Sequence, residues 1–350
     1  MRVVPARLSL SSSLPDSVLL ESARTLRARY PMLIPPSIVR AKDLDARVGA
    51  QTFLAVESQQ LTGSFKVRGA LLALESLSSG AHGRPKHVVA ASAGNHGAGV
   101  AFAASTLGIV ATIVVPRNAP RSKTDKMRDA GATVITVATD SYDDAEVEAK
   151  RLAVRSDAMF LSPYDDLAVL AGNGASLAFD IVEQLEIAPG RVIAPFGGGG
   201  LATGLACGLA HAYGDELGKV RRVWGAQSEA SCAMALSLKR GRAVLALACD
   251  GPTFAEGLEG GISEAAYKRA GGVIDAMVVV DERSIARAMV WSEDVLGLRL
   301  EGSAAVGLAA VLDGAPPTLA PSHDEGVVIV LTGRNVDDAR FAEARARVAV

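Results

Sequence analysis

His87-Val88-Val89-Ala90-Ala91-Ser92-Ala93-Gly94-Asn95-His96-Gly97 opens an alanine-rich stretch that runs to Leu107 and is followed by Ala111-Thr112-Ile113-Val114-Val115. A β-branched run, a turn of small residues, a helical stretch and a second β-branched run in that order make a βαβ unit, which pairs its two strands in parallel. Working outward, strands over 87–91, 111–115 and 133–137 alternate with helices over 97–107, 120–130 and 143–155. The series resumes with a helix over 170–185, a strand over 191–196, a helix over 201–213 and a strand over 221–226. Strands over 276–280 and 327–331 follow, with helices over 282–296 and 303–312 and a proline-containing loop over 315–322. The fold class is α/β with mostly parallel sheets. The organisation this predicts is a small αβα domain, 81–159, inserted into a larger domain made of 1–80 plus 160–350.

The chain has 350 residues, of which 49% are hydrophobic and 21% charged, so a packed core is expected rather than disorder. Lysine and arginine number 36 against 38 aspartates and glutamates, a net charge of -2 that offers no electrostatic footprint for nucleic acid or a membrane surface. Apolar runs such as 273–280 and 326–332 are far shorter than a membrane helix requires. Cys207, Cys232 and Cys249 form neither a disulfide framework nor paired zinc knuckles, which suits free thiols in a reducing cytoplasm. The serine-rich N-terminus lacks the apolar core of a secretory signal and reads as a frayed or docking arm. A small-molecule partner is the expectation.

Three stretches carry chemistry. In Thr62-Gly63-Ser64-Phe65-Lys66-Val67-Arg68-Gly69 one lysine stands between small polar residues and an aromatic ring. Partial desolvation there would keep its amine neutral enough to form a Schiff base. The same lysine could also lie at an ordinary helix start with Ser64 as its N-cap. Further on, the strand over 191–196 runs into Gly197-Gly198-Gly199-Gly200 and a helix beginning near Leu201, a backbone that can approach a phosphate and offer it free N–H groups. A tight structural turn is the other reading, and a dinucleotide site is disfavoured because the next strand ends at Gln227 without an acid. Ser92-Ala93-Gly94-Asn95-His96-Gly97 follows a strand and opens a helix, so its N–H groups could hold a carboxylate and Asn95 could donate to a phenolic oxygen, unless the turn is simply a capped helix start.

These three stretches, with Glu301-Gly302-Ser303-Ala304-Ala305 and Leu331-Thr332-Gly333-Arg334-Asn335, occur in the order found in the fold-type II pyridoxal-phosphate enzymes. Across roughly 30–340 the chain resembles their threonine/serine dehydratase and serine racemase branch. The resemblance implies a tryptophan synthase β-like architecture of two three-layer αβα domains and pyridoxal 5'-phosphate as cofactor. It implies that Lys66 is catalytic and carries the cofactor. It further implies that Gly197, Gly198, Gly199 and Gly200 cradle the phosphate, that Asn95 bonds the ring hydroxyl, that Thr332 faces the pyridine nitrogen, and that Phe65, Leu201 and Glu301 complete the cofactor site. Ser64, Ser92, Ala93, Gly94, Asn95, His96 and Glu256 would receive the substrate. A homodimer in the cytoplasm is also implied.

Within the family, Val67 stands where β-replacement enzymes usually place an acid, and Ala93 stands where racemases place a serine that serves as second base. Both favour α,β-elimination from a 3-hydroxy amino acid over β-replacement or racemisation, and an intact Lys66 and glycine loop disfavour a non-catalytic amino-acid sensor. After the strand over 221–226 only Glu229 could ligate a cation, so no metal site is predicted. Glu256 in place of an aspartate, Asn173, Ala175, Arg334 and Ser162-Pro163-Tyr164 depart from the dehydratase pattern. They leave open an L-threonine- or L-serine-like substrate, phenylserine, or a hydroxyectoine-derived compound.

Overall fold

The computed structural model describes residues 1–78, 85–314, 320–321 and 325–349. The expected domain boundary at 80/81 and most of the proline-containing loop over 315–322 lie outside them. Among the described residues there are eleven strands: β1 (Arg2–Pro5), β2 (Ser37–Arg40), β3 (Thr52–Val56), β4 (His87–Ala91), β5 (Val110–Val115), β6 (Thr133–Thr136), β7 (Met159–Phe160), β8 (Pro189–Pro195), β9 (Val223–Ser228), β10 (Ala276–Val280) and β11 (Gly326–Leu331). They form a seven-stranded sheet in the order β1-β10-β9-β8-β11-β3-β2 and a four-stranded sheet in the order β6-β5-β4-β7. The smaller sheet is wholly parallel, and the larger is parallel except for the antiparallel edge strands β1 and β2. Strands covered on both faces should read as unbroken apolar runs, and β11, Gly-Val-Val-Ile-Val-Leu, is buried at every position.

The N-terminal arm docks. β1 adds to β10, and Arg221 fastens the chain beyond it by donating to the carbonyls of Ala6 at 2.6 Å and Leu8 at 3.0 Å. The single helix expected over 170–185 is divided: an α-turn at Leu167–Leu170, a π-helical segment at Ala171–Ala175, then an α-helix at Ser176–Gln184. The widened turn is where the helix Gly200–Tyr213 packs, and a side-chain carbon on Gly204 would overlap the Leu170 carbonyl. Asn173, one of the departures noted above, accepts the Gly69 N–H at 3.0 Å and so joins this turn to the helix Lys66–Ser78. Cys207 and Cys232 are buried, Cys249 is half-buried, and all three are free. Among the described residues no helix is long and apolar enough to cross a membrane.

Candidate active site

In a parallel sheet, ligands collect beyond the carboxyl ends of the strands. Here the segments leaving β3, β8 and β11 emerge side by side at that edge, because β11 lies between β3 and β8. The segment after β3 leads to Lys66, and that after β11 leads to Thr332 and Gly333. They are stitched together by an antiparallel bridge between Ser64 and Gly333, by the Phe65 N–H donating to the Thr332 carbonyl at 3.1 Å, and by the Arg334 N–H donating to the Gly63 carbonyl at 2.9 Å. Lys66 is the first residue of its helix and is half-buried, with Nζ 5.1 Å from the Phe65 ring centroid. Burial lowers its pKa to about 8, against the opposing pull of the Glu301 carboxylate. Ser64 is not an N-cap: its hydroxyl is buried and unpartnered. The Thr332 hydroxyl makes no hydrogen bond among the described residues.

The turn after β4 reaches the same place from the other sheet. The helix Asn95–Leu107 crosses so close to Lys66–Ser78 that a side-chain carbon on Gly99 would sit 2.9 Å from the Lys66 carbonyl carbon. No side chain caps this helix, and the Ser92 hydroxyl instead accepts the Gly94 N–H at 3.1 Å. Ala93 and Gly94 are half-buried in the turn. His96 is buried with Nε2 3.2 Å from the Leu161 carbonyl, and its Nδ1 has no partner. Burial, with Lys66 adding to it, lowers its pKa to about 3, so the ring is neutral in ordinary buffers. Asn95 Nδ2 donates to Glu301 Oε1 at 2.6 Å, while Asn95 Oδ1 accepts from Asn335 at 2.7 Å. One amide hydrogen of Asn95 is thus held by Glu301, and the other has no partner among the described residues. Burial pushes the Glu301 carboxyl pKa up.

Beyond β8, Gly199 adopts φ of +82°, the left-handed region open to glycine, and carries the chain into the helix Gly200–Tyr213. Every position of the loop is close-walled: a carbon on Gly197 would lie 3.3 Å from the Gly257 carbonyl, on Gly198 2.6 Å from Tyr164, on Gly199 2.8 Å from Phe196, and on Gly200 3.3 Å from Leu170. Among the described residues nothing accepts the N–H groups of Gly198, Gly199, Gly200 or Leu201, so a row of free donors stands at the positive end of a helix. The loop joins the rest of the site through Gly257, whose N–H donates to Ser303 Oγ at 2.9 Å, and through Glu301, whose N–H donates to the Gly333 carbonyl at 3.1 Å. Leu201 is buried beneath it. Glu256 stands at the margin, its exposed carboxylate 3.1 Å from Arg340 Nε.

A half-buried lysine of lowered pKa, a row of unclaimed N–H donors, and the unpartnered Ser64 and His96 atoms suit an aldehyde cofactor bearing a phosphate. Residues 31–333 match the description of the family "Pyridoxal-phosphate dependent enzyme". The chain belongs to this family. An L-threonine ammonia-lyase of Thermotoga maritima is 38% identical over 83% of this chain and 68% of its own length. A serine racemase of Oryza sativa subsp. indica is 31% identical over 91% of both chains. The solved structure of the processed form of threonine deaminase isoform 2 from Solanum lycopersicum superposes with a TM-score of 0.81 at 27% identity, covering 100% of this chain and 94% of that one. The chain is a pyridoxal-phosphate dependent enzyme of fold type II. Phe65, Lys66, Asn95, Glu301 and Thr332 meet at the sheet edge, with the glycine loop joined to them and Glu256 at the rim. The sequence reading missed Lys123, which lies beside Gly94, and the bridge from Asn335 to Asn95, and it noted Tyr164 only as a departure from the dehydratase pattern, not as a wall of the glycine loop.

Proposed function

We propose that this protein is an ammonia-lyase that eliminates water from a 3-hydroxy amino acid. The α-hydrogen and the β-hydroxyl leave, and the enamine released takes up water to give a 2-oxo acid and ammonia. The observation that carries the reading is Lys66, with its lowered pKa, close to the helix that follows a turn whose Ala93 offers only a methyl group. One base serves elimination, whereas two-base racemisation needs a second proton carrier on the other face of the substrate. Pyridoxal phosphate supplies the electron sink that makes the α-proton removable. The chain's own residues do the rest. The glycine loop holds the phosphate, the N–H groups after Gly94 receive the substrate carboxylate, and the Lys66 amine takes the α-proton. Thr332, a neutral hydroxyl, does not keep the ring nitrogen protonated as a carboxylate would, which suits rapid departure of a β-group over transamination. The domain division at about 81–159 and a homodimer belong to the same reading.

The test is an absorption spectrum near about 410 nm, where a lysine-bound cofactor of this kind absorbs, followed by assay of 2-oxo acid release from a panel of 3-hydroxy amino acids. The panel holds L-threonine, L-serine, phenylserine and a hydroxyectoine-derived compound. Oxo acid from one member supports the lyase and names its substrate. A band that shifts without oxo acid, accompanied by loss of optical activity, would replace it with racemisation.

A further inference from the structure

The helix Arg121–Asp129 belongs to the smaller sheet's unit but turns one edge toward the site. Two of its residues reach across: Lys126 Nζ donates to Asn335 Oδ1 at 2.8 Å, and Ser122 Oγ donates to Asp337 Oδ1 at 2.7 Å. Between them is Lys123, half-buried, whose ammonium makes no hydrogen bond or ion pair among the described residues. It is not remote from the site. A side-chain carbon on Gly94 would lie 3.5 Å from Lys123 Cδ and 3.7 Å from Lys123 Nζ, so the ammonium overhangs the turn 92–96. The buried Glu301 carboxylate feels it as well, and among the influences favouring the ionised form of Glu301 that of Lys123 comes first.

An unpaired cation held half out of water is costly unless something negative comes to it. Lys66 cannot meet an incoming carboxylate while it is bonded to the cofactor, and Lys126 already has a partner. The N–H groups of the turn can bond a carboxylate but carry no full charge to balance it. The geometry points to Lys123 as the specificity-determining cation for the substrate's α-carboxylate, balancing Glu301 in the resting enzyme and shared with the substrate when it binds. This rests on the turn 92–96 being the carboxylate seat of the proposed lyase. It adds that recognition is divided between the two sheets' units, with the smaller one supplying the charge.

The test uses purified holoenzyme, with the change of the cofactor absorption band on titration as the readout of binding and 2-oxo acid release as a separate readout. L-Threonine and L-threoninamide are the probes, since the amide keeps the shape of the carboxyl group while an NH2 replaces one oxygen and removes the negative charge. Lys123→Met keeps the aliphatic stem, and Lys123→Arg keeps the charge. Losing one partner of a desolvated charge pair predicts that Lys123→Met needs roughly 30-fold more L-threonine or above for half-maximal change, with little effect on the amide. Lys123→Arg should recover most of the loss, and the unchanged resting band and melting temperature of both variants report folding. Equal weakening toward acid and amide, or no weakening toward either, overturns the inference. A wild-type enzyme that prefers acid to amide in a Lys123-dependent way, yet releases no oxo acid from any panel member, would sink the lyase and leave the carboxylate site standing.

Discussion

Lys66 is the residue whose chemistry depends most on its surroundings. An ammonium in water loses its proton above pH 10, but burial brings this one to about 8. Only the unprotonated amine can attack an aldehyde. Incorporation of pyridoxal phosphate into apoenzyme should therefore quicken as pH rises from 6 to about 8 and level off above it, a profile that stopped-flow absorbance can follow. Lys66→Ala should show no absorption band at any pH, and persistence of the band would remove Lys66 from the role. Nearby, His96 is held neutral by its burial. It therefore adds an unpartnered acceptor to the site but no titration of its own in the same range.

At the scale of elements, the site depends on backbones that approach without side chains between them. Gly204 faces the Leu170 carbonyl, and a carbon on Gly174 would lie 2.5 Å from the Leu201 carbonyl, so the helix after the glycine loop rests directly on the π-helical segment. Gly204→Ala adds a methyl where there is no room, and overpacking of this kind costs about 1–3 kcal/mol or more. The expected result is a lower melting temperature together with weaker cofactor retention, because the displaced helix carries the phosphate loop. A variant that melts normally would show that the contact yields more easily than its geometry suggests. The Ala/Leu spacing over 201–213 and 303–312 reads as core packing, and 201–210 and 304–311 within those stretches are buried. The π-segment was not legible in this way, because its amide shift answers to the helix packed against it rather than to its own residues.

For the whole molecule, Arg68 is the fully buried joint. It donates to Glu57 Oε1 at 2.5 Å, to Asp180 Oδ2 at 2.7 Å and to the Ile34 carbonyl at 3.1 Å, uniting the segment after β3, the helix that begins at Lys66 and the helix Ser176–Gln184. Replacing a buried pair can be neutral, but removing one partner strands the others. Arg68→Met should cost about 3–5 kcal/mol in denaturant unfolding at pH 8. Burial already pushes the Glu57 carboxyl pKa up, and without the guanidinium it rises further. Protonation then relieves the stranded charge, so part of the loss should return as pH falls toward 5.5. Equal losses at both pH values would mean that packing, not charge, is what Arg68 contributes.

The sequence by itself determined the alternation of strands and helices from His87 onward and the five motifs and their order, because periodicity and glycine placement are local properties of the chain, and the family resemblance those motifs carry implied the cofactor. It did not disclose β1, β2 or β3 or the helices between 17 and 48, although it allowed a helix start at Lys66, where one begins. Short edge strands such as Arg2–Pro5 and Ser37–Arg40 have no covered second face to impose a pattern. Nor could it show that Ser64 bridges Gly333 instead of capping a helix, that Glu301 holds the Asn95 amide, or that Glu256 turns to Arg340. Only the tertiary structure decided that Lys123 stands over the turn at Gly94. That placement arises where an element of one sheet meets a loop of the other, and the free energy that selects it is spread over every contact between them.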